Sequence, residues 1–233
     1  MPGRRLAAFL FAPILVLSFY NPFIMPQESF YARLFAKAYD PVMERLEERL
    51  LLSRRQELLG NVAGKVLEVG SGTGVNFPLY APEAQVLAVE PSAAMMGRAR
   101  RKLEEVPVVA DIELVQASLE APELEQRIAP ESLDYIVCTL VLCTVPDLTD
   151  ALSRFQRWLR PGGRLLAMEH IHDSRQPQKW LQQKFTPLWK HMAEGCHLNR
   201  PTDRLLKEAG FRPVREDYLH TKWIPFYWAV LEK

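Results

Sequence analysis

Cysteine is scarce in this chain: three residues among 233, an odd number, with no CxxC pair. That excludes a disulfide framework and fits a reducing compartment. Neither the cysteine nor the histidine spacing predicts a zinc or other metal site. An excess of charge is missing too, since 29 Lys and Arg stand against 28 Asp and Glu for a formal net charge of +1. Nucleic-acid binders carry a basic surplus or stripe, so nucleic acid is not an expected partner. No internal repeat and no flexible linker interrupts the chain. Nor does any uninterrupted apolar run reach the roughly 20 residues that a membrane-spanning helix needs. What is present, 48% apolar and 24% charged residues, is the material of one globular domain with some additions and not of a disordered chain.

The amino terminus stands apart. Arg4 and Arg5 precede an apolar run from Leu6 to Phe19 interrupted only by Pro13 and Ser18, and Phe23, Ile24 and Met25 resume it after Pro22. The basic start and apolar middle resemble a signal peptide, but the small-x-small cleavage pattern is missing. Two readings stand for residues 1–27: a terminal apolar helix docked on the domain, or attachment to a membrane surface. In the second, Pro13, Pro22 and Pro26 break any long helix and favour lying on the bilayer over crossing it. A single span would also push Arg4 and Arg5 away from the cytosol, against the positive-inside tendency. The expected location is cytoplasmic, membrane-associated through this segment.

Residues 28–233 alternate between strand and helix signals. Asp40-Pro41 starts a helix with Val42, Leu46 and Leu50 on one side and a stop at Gly60. Strands follow at Lys65–Val69, Val86–Val89, Ile112–Val115, within Leu133–Leu142, and at Arg164–Glu169. Ser92 caps a helix carrying Met95, Met96, Ala99 and Leu103. A second helix carries Leu148, Leu152, Phe155 and Leu159 and stops at Pro161-Gly162-Gly163. Helical insertions occupy about 175–209, and Phe211–Leu219 with Trp223–Leu231 close the sheet. This rhythm predicts an α/β fold, Rossmann-like and doubly wound: a mostly parallel seven-stranded sheet with an antiparallel closing strand and a helical lid.

The chemistry concentrates at Glu68-Val-Gly70-Ser-Gly72-Thr-Gly74, where a strand should turn into a helix. Ligands of open α/β sheets bind beyond the carboxyl ends of strands, and glycine lets the backbone approach them closely. No Lys-Ser or Lys-Thr follows, so the phosphate-gripping P-loop is absent. The spacing is GxGxG, which weakens a nicotinamide or flavin reading. Glu68, two residues ahead of the first glycine, would repel a pyrophosphate and attract a cation. Glu90 ends the second strand, where an acid accepts both protons of a ribose diol. A phosphate-free, positively charged adenosine derivative describes S-adenosylmethionine.

On these residues the chain resembles the class I S-adenosylmethionine-dependent methyltransferases from Lys65 to about Glu169. The carriers are VLEVGSGTG (66–74), VLAVEPS (86–92), VQASLE (115–120), LDYIVCTLVLCTV (133–145) and WLRPGGRLLAMEH (158–170). More narrowly, VCTLVLCTV, MEH and TPLWKHMAEGCHLNRPT (186–202) resemble the thiol S-methyltransferase branch of the methyltransferase-like proteins and its bacterial relatives. The resemblance implies that Glu68, Gly70, Ser71, Gly72, Thr73 and Gly74 surround the methionine part of the cofactor, with Asn76 nearby. It implies Glu90 at the ribose beside Pro91 and Ser92. Ala117 and Ser118 would flank the adenine edge, and Thr139 and Leu140 the sulfonium.

Methyl transfer from a sulfonium is an in-line displacement that asks the enzyme chiefly to align the reactants and exclude water. A thiol acceptor of pKa ~8.5 needs little help to ionise. Candidates for orienting or deprotonating it are His170 and His197, with His172 and His191 behind them. Trp180, Phe185, Trp189, Phe226 and Trp228 are candidates for an apolar acceptor pocket. Cys143 reads as pocket lining or core. Three functions stay open: methylation of a small apolar acceptor, most plausibly a thiol; methylation of a lipid or quinone head group; and an inactive cofactor-binding module at a membrane surface.

Overall fold

The computed structural model describes residues 51–192, 195–221 and 224–233. Residues 1–27 and the Asp40-Pro41 helix start lie outside them. The first described helix, α1 (Leu52–Leu59), ends at Gly60, the expected stop. Strands β1 (Gly64–Val69), β2 (Ala84–Val89), β3 (Asp111–Val115), β4 (Leu133–Thr139), β5 (Leu159–His170), β6 (Arg212–His220) and β7 (Pro225–Glu232) make one seven-stranded sheet in the order β3-β2-β1-β4-β5-β7-β6. The pairs among β1 to β5 are parallel, and β7 runs antiparallel to both β5 and β6. The doubly wound sheet with its antiparallel closing strand is the expected one.

Both faces of the sheet are covered, which is why its central strands read as continuous apolar runs rather than alternating ones. Leu67 and Val69 of β1 pack into one core with Leu142, Phe155, Trp158 and Tyr227. Val66 packs into the other, with Val86, Val137, Met168 and Trp228. Each fully buried side chain of this size contributes roughly 1.5–3 kcal/mol relative to exposure. The edge strand β6 carries Arg212, Arg215, Glu216 and Asp217, and such charge blunts edge-to-edge pairing.

Helix α2 (Ala93–Glu105) starts where Ser92 Oγ accepts from Met95 N at 3.4 Å. A short helix α3 (Pro122–Arg127) is an element the periodicity does not reveal, because six residues are too few to display it. Helix α4 (Leu148–Trp158) is capped by Asp147, whose Oδ1 accepts from Asp150 N at 3.0 Å. It stops three residues earlier than expected. Leu159 leaves the helix to pair with Leu133, so Pro161, Gly162 and Gly163 fall inside β5 rather than at a helix end. The insertion comprises α5 (Gln178–Met192) and α6 (Thr202–Glu208). Among the described residues no helix is long and apolar enough to cross a membrane.

Candidate active site

The carboxyl ends of β1, β2 and β3 finish level with one another. Ser71 N donates to Val89 O (3.0 Å) and Glu90 N to Val115 O (3.1 Å), carrying the ladder one step past the strands. Gly70-Ser-Gly-Thr-Gly74 turns over this edge. Gly70 has φ +64°, and a Cβ there would stand 2.3 Å from Val141 Cγ2, so the protein's own packing requires glycine. Gly72 has φ +57°, yet a Cβ there would meet nothing within 4 Å among the described residues. Those residues leave the space beside Gly72 open. Ser71 Oγ, beneath the loop, is buried without a hydrogen-bond partner among the described residues.

Glu90 lies directly against this opening. Its Oε2 accepts from Gly72 N (3.0 Å) and its Oε1 from Ser92 N (2.8 Å). These two backbone hydrogen bonds place the buried carboxylate against the glycine loop. Glu68 behaves differently from the open acid expected of it. It is 1% exposed, and its oxygens accept from Asn76 Nδ2 (2.8 Å) and Tyr80 Oη (3.0 Å). Desolvation pushes its carboxyl up to about 7, against those two hydrogen bonds and the nearby Arg55 guanidinium. Asn76 is the hub: its Nδ2 also reaches Thr139 Oγ1 (3.1 Å), while its Oδ1 accepts from the buried Arg55 Nη1 (2.8 Å). Arg55 and Tyr80, which no sequence motif marks, thus tie α1 and the segment after the loop to the same carboxylate.

Beyond β4 the chain turns at Leu140, a non-glycine residue at φ +57°. That turn aims the amides of Val141 and Leu142 at Glu169 Oε1 (2.9 and 3.0 Å). Glu169, fully buried, is also raised to about 7 by desolvation. Ala117 is buried and Ser118 exposed where β3 gives way to the next turn. His170 ends β5, and its Nε2 lies 3.1 Å from Cys196 Sγ. His197 Nδ1 lies 3.2 Å from Cys143 O. Both histidines therefore engage the protein's own groups.

A family profile described as a methyltransferase domain matches residues 43–216. The chain is 32% identical over 210 residues to the thiol S-methyltransferase TMT1B of Rattus norvegicus, covering 88% of this chain and 82% of that one. The chain belongs to the S-adenosylmethionine-dependent methyltransferases. It is also 34% identical over 114 residues to a phosphatidylethanolamine N-methyltransferase of Cereibacter sphaeroides, across 49% of this chain and 54% of that protein. The fold matches that of a geranyl diphosphate C-methyltransferase from Streptomyces coelicolor, whose structure holds S-adenosyl-L-homocysteine. The TM-score is 0.59 at 18% identity, over 79% of this chain and 76% of that one.

In this methyltransferase the residues at the loop fit the cofactor: Ser71 keeps a buried hydroxyl with no partner among the described residues, and Gly72, with no described neighbour where a Cβ would stand, donates to Glu90. The aromatic acceptor pocket is not assembled as expected. Trp180 and Phe185 are exposed, at 53% and 55%, whereas Phe226 and Trp228 are buried in the core with Val66 and Met168. The side chains of Trp189 and His191 lie outside those described. Residues that sequence reasoning missed include Arg55, Tyr80 and Arg200. Arg200 Nη1 donates to Val145 O (2.7 Å) and to Leu142 O, and only the folded chain brings residue 200 beside the end of β4.

Proposed function

We propose that this methyltransferase acts on a small apolar thiol. The observation that carries the reading is the breadth of the likeness. The match to a thiol S-methyltransferase runs over 88% of the chain, whereas that to an amino-lipid methyltransferase covers only 49%. A cofactor-binding half is common to many methyltransferases, so acceptor preference is carried by what lies beyond it. A thiol ionises with little assistance, so such an acceptor asks the protein chiefly for alignment and shielding.

When bound, the cofactor supplies an electrophilic methyl on a sulfonium. Gly70, Ser71, Gly72, Thr73 and Gly74 would hold the methionine portion, with Asn76 bracing Glu68 and Thr139 beside them. Glu90 would accept from the ribose hydroxyls, flanked by Pro91 and Ser92, and Ala117 and Ser118 would border the adenine. Thr139 and Leu140 would lie on the sulfonium side. The sulfonium would supply that methyl to an acceptor thiolate and would keep the electron pair of the broken carbon–sulfur bond. His170 and His197 shape the acceptor wall, and the chain's main contribution is alignment and exclusion of water.

Methyl transfer from labelled cofactor to a panel of alkyl and aryl thiols, phenols, quinol precursors and amino-lipids tests this reading. Turnover of thiols is expected. Turnover confined to phenols or lipids overturns the thiol assignment, and turnover of none favours an inactive cofactor-binding module. We further propose that residues 1–27 lie on a membrane surface and leave the catalytic part in the cytoplasm. The full chain should float with liposomes and a chain lacking residues 1–27 should not; a full chain that stays behind refutes the attachment.

A further inference from the structure

Cys143, His170 and Cys196 are far apart in the chain and meet beyond the ends of β4 and β5. One ligand atom from each, two sulfurs and a ring nitrogen, all lie within 4.8 Å of one another. The three residues are 2%, 8% and 8% exposed, and neither cysteine is in a disulfide. Within the cluster His170 Nε2 lies 3.1 Å from Cys196 Sγ, while Cys143 Sγ reaches Leu140 O only at 3.9 Å and His170 Nδ1 is buried with no partner among the described residues. Burying polar groups is costly unless they are engaged, and a ligand shared by the three side chains would engage them together.

The donor set says what that partner is. Two thiolates and an imidazole are the ligands of a borderline-soft divalent cation. Zinc–sulfur bonds of about 2.3 Å and zinc–nitrogen bonds of about 2.0 Å put ligand atoms roughly 3.5–3.8 Å apart in a tetrahedron. The observed cluster needs only small side-chain rotations to reach this. Two thiolates would neutralise the charge of the cation. The segments bearing the ligands are already held by other bonds. His197 N donates to Cys143 O (3.0 Å), His172 N to Arg200 O (3.1 Å), and the Arg200 guanidinium to Val145 O. The three donors are thus presented by a scaffold that does not depend on them.

We propose that Cys143, His170 and Cys196 bind one zinc-class divalent cation, which fastens the 195–200 turn of the insertion to the ends of β4 and β5. The three side chains fill three tetrahedral positions and leave the fourth to water. Binding displaces the two thiol protons, so uptake of the cation releases acid.

The test uses the full chain without a polyhistidine tag. Purified under reducing conditions, it should contain about one zinc per chain by plasma mass spectrometry. After chelation, cobalt(II) should restore the site, with thiolate-to-cobalt charge-transfer bands and the intense visible bands of tetrahedral cobalt. Cys143→Ser and Cys196→Ser should each weaken cobalt binding by about tenfold or more, while Cys138→Ala should not. Should the serine variants fail to fold, alkylation of the natural chain decides instead: zinc should protect Cys143 and Cys196, and chelation should expose them. Absence of zinc together with a cobalt titration lacking thiolate bands overturns the proposal. So does a Cys143–Cys196 disulfide in the reduced preparation, or alkylation indifferent to the chelator. None of these readouts involves methyl transfer, so the site and the thiol assignment stand or fall separately.

Discussion

Glycines that look equivalent in the motif do different work. Gly70 is demanded by packing against Val141, whereas Gly72 meets no such neighbour among the described residues. Gly70→Ala should cost roughly 2–4 kcal/mol from backbone strain and overpacking. Gly72→Ala should cost only about 1–2 kcal/mol of strain but lower cofactor affinity, because its methyl enters the ligand's space. Denaturant unfolding beside calorimetric titration separates the two, and equal losses of stability with unchanged affinity would refute the distinction. Glu90→Ala should weaken S-adenosylmethionine binding roughly 30- to 150-fold, the loss of charged hydrogen bonds totalling about 2–3 kcal/mol; unchanged affinity would remove Glu90 from the ribose. Glu68 supplies a pH signature. Its folded pKa of about 7 lies above the ordinary 4.5, so between those values the folded protein holds a proton that the unfolded chain has lost. That contribution is complete below 4.5 and is lost as pH rises through 7, an effect of roughly 3 kcal/mol. Glu68→Gln should flatten the decline of thermal stability from pH 5 to 7.5, leaving the share due to the second buried carboxyl, Glu169. An unaltered slope would show that Glu68 does not titrate there.

At the scale of elements, the site is a meeting of strand ends with an insertion. β1 and β2 bring the glycine loop and Glu90, while β4 and β5 bring Leu140 and His170. The 195–200 turn is held across the latter pair by Arg200, whose guanidinium burial lowers its pKa. Arg200→Ala leaves the carbonyls of Leu142 and Val145 without this donor. Hydrogen exchange at residues 140–145 and 195–200 should accelerate together, while α2 and β2 remain protected. Acceleration at neither segment would show that other contacts hold the turn.

For the whole molecule, binding to the folded state alone stabilises it by mass action. At a cofactor concentration about a hundredfold above Kd, the gain is about 2.7 kcal/mol, or roughly 5–10 °C in Tm for a domain of this size. S-adenosylmethionine should produce such a shift and a dinucleotide should not; the reverse would overturn the reading of the glycine loop.

The amino-acid sequence determined the sheet and the alternation of strands and helices that builds it. Continuous apolar runs, Ser92 and the GxGxG turn are local features whose physical meaning travels with the chain. Element ends were less legible: Leu159 fits helical spacing, but pairing with Leu133 draws it into β5. Tertiary structure alone decided how each acid is held. Glu68 and Glu90 bracket the same loop, yet the side chains of Asn76 and Tyr80 engage the first, whereas the backbone amides of Gly72 and Ser92 hold the second. It alone brought Cys143, His170 and Cys196 together, because separations of 27 and 26 residues in sequence carry no metal-ligand pattern. Spacing reports what a helix or strand will face, and only the crossing of distant segments reports what will meet.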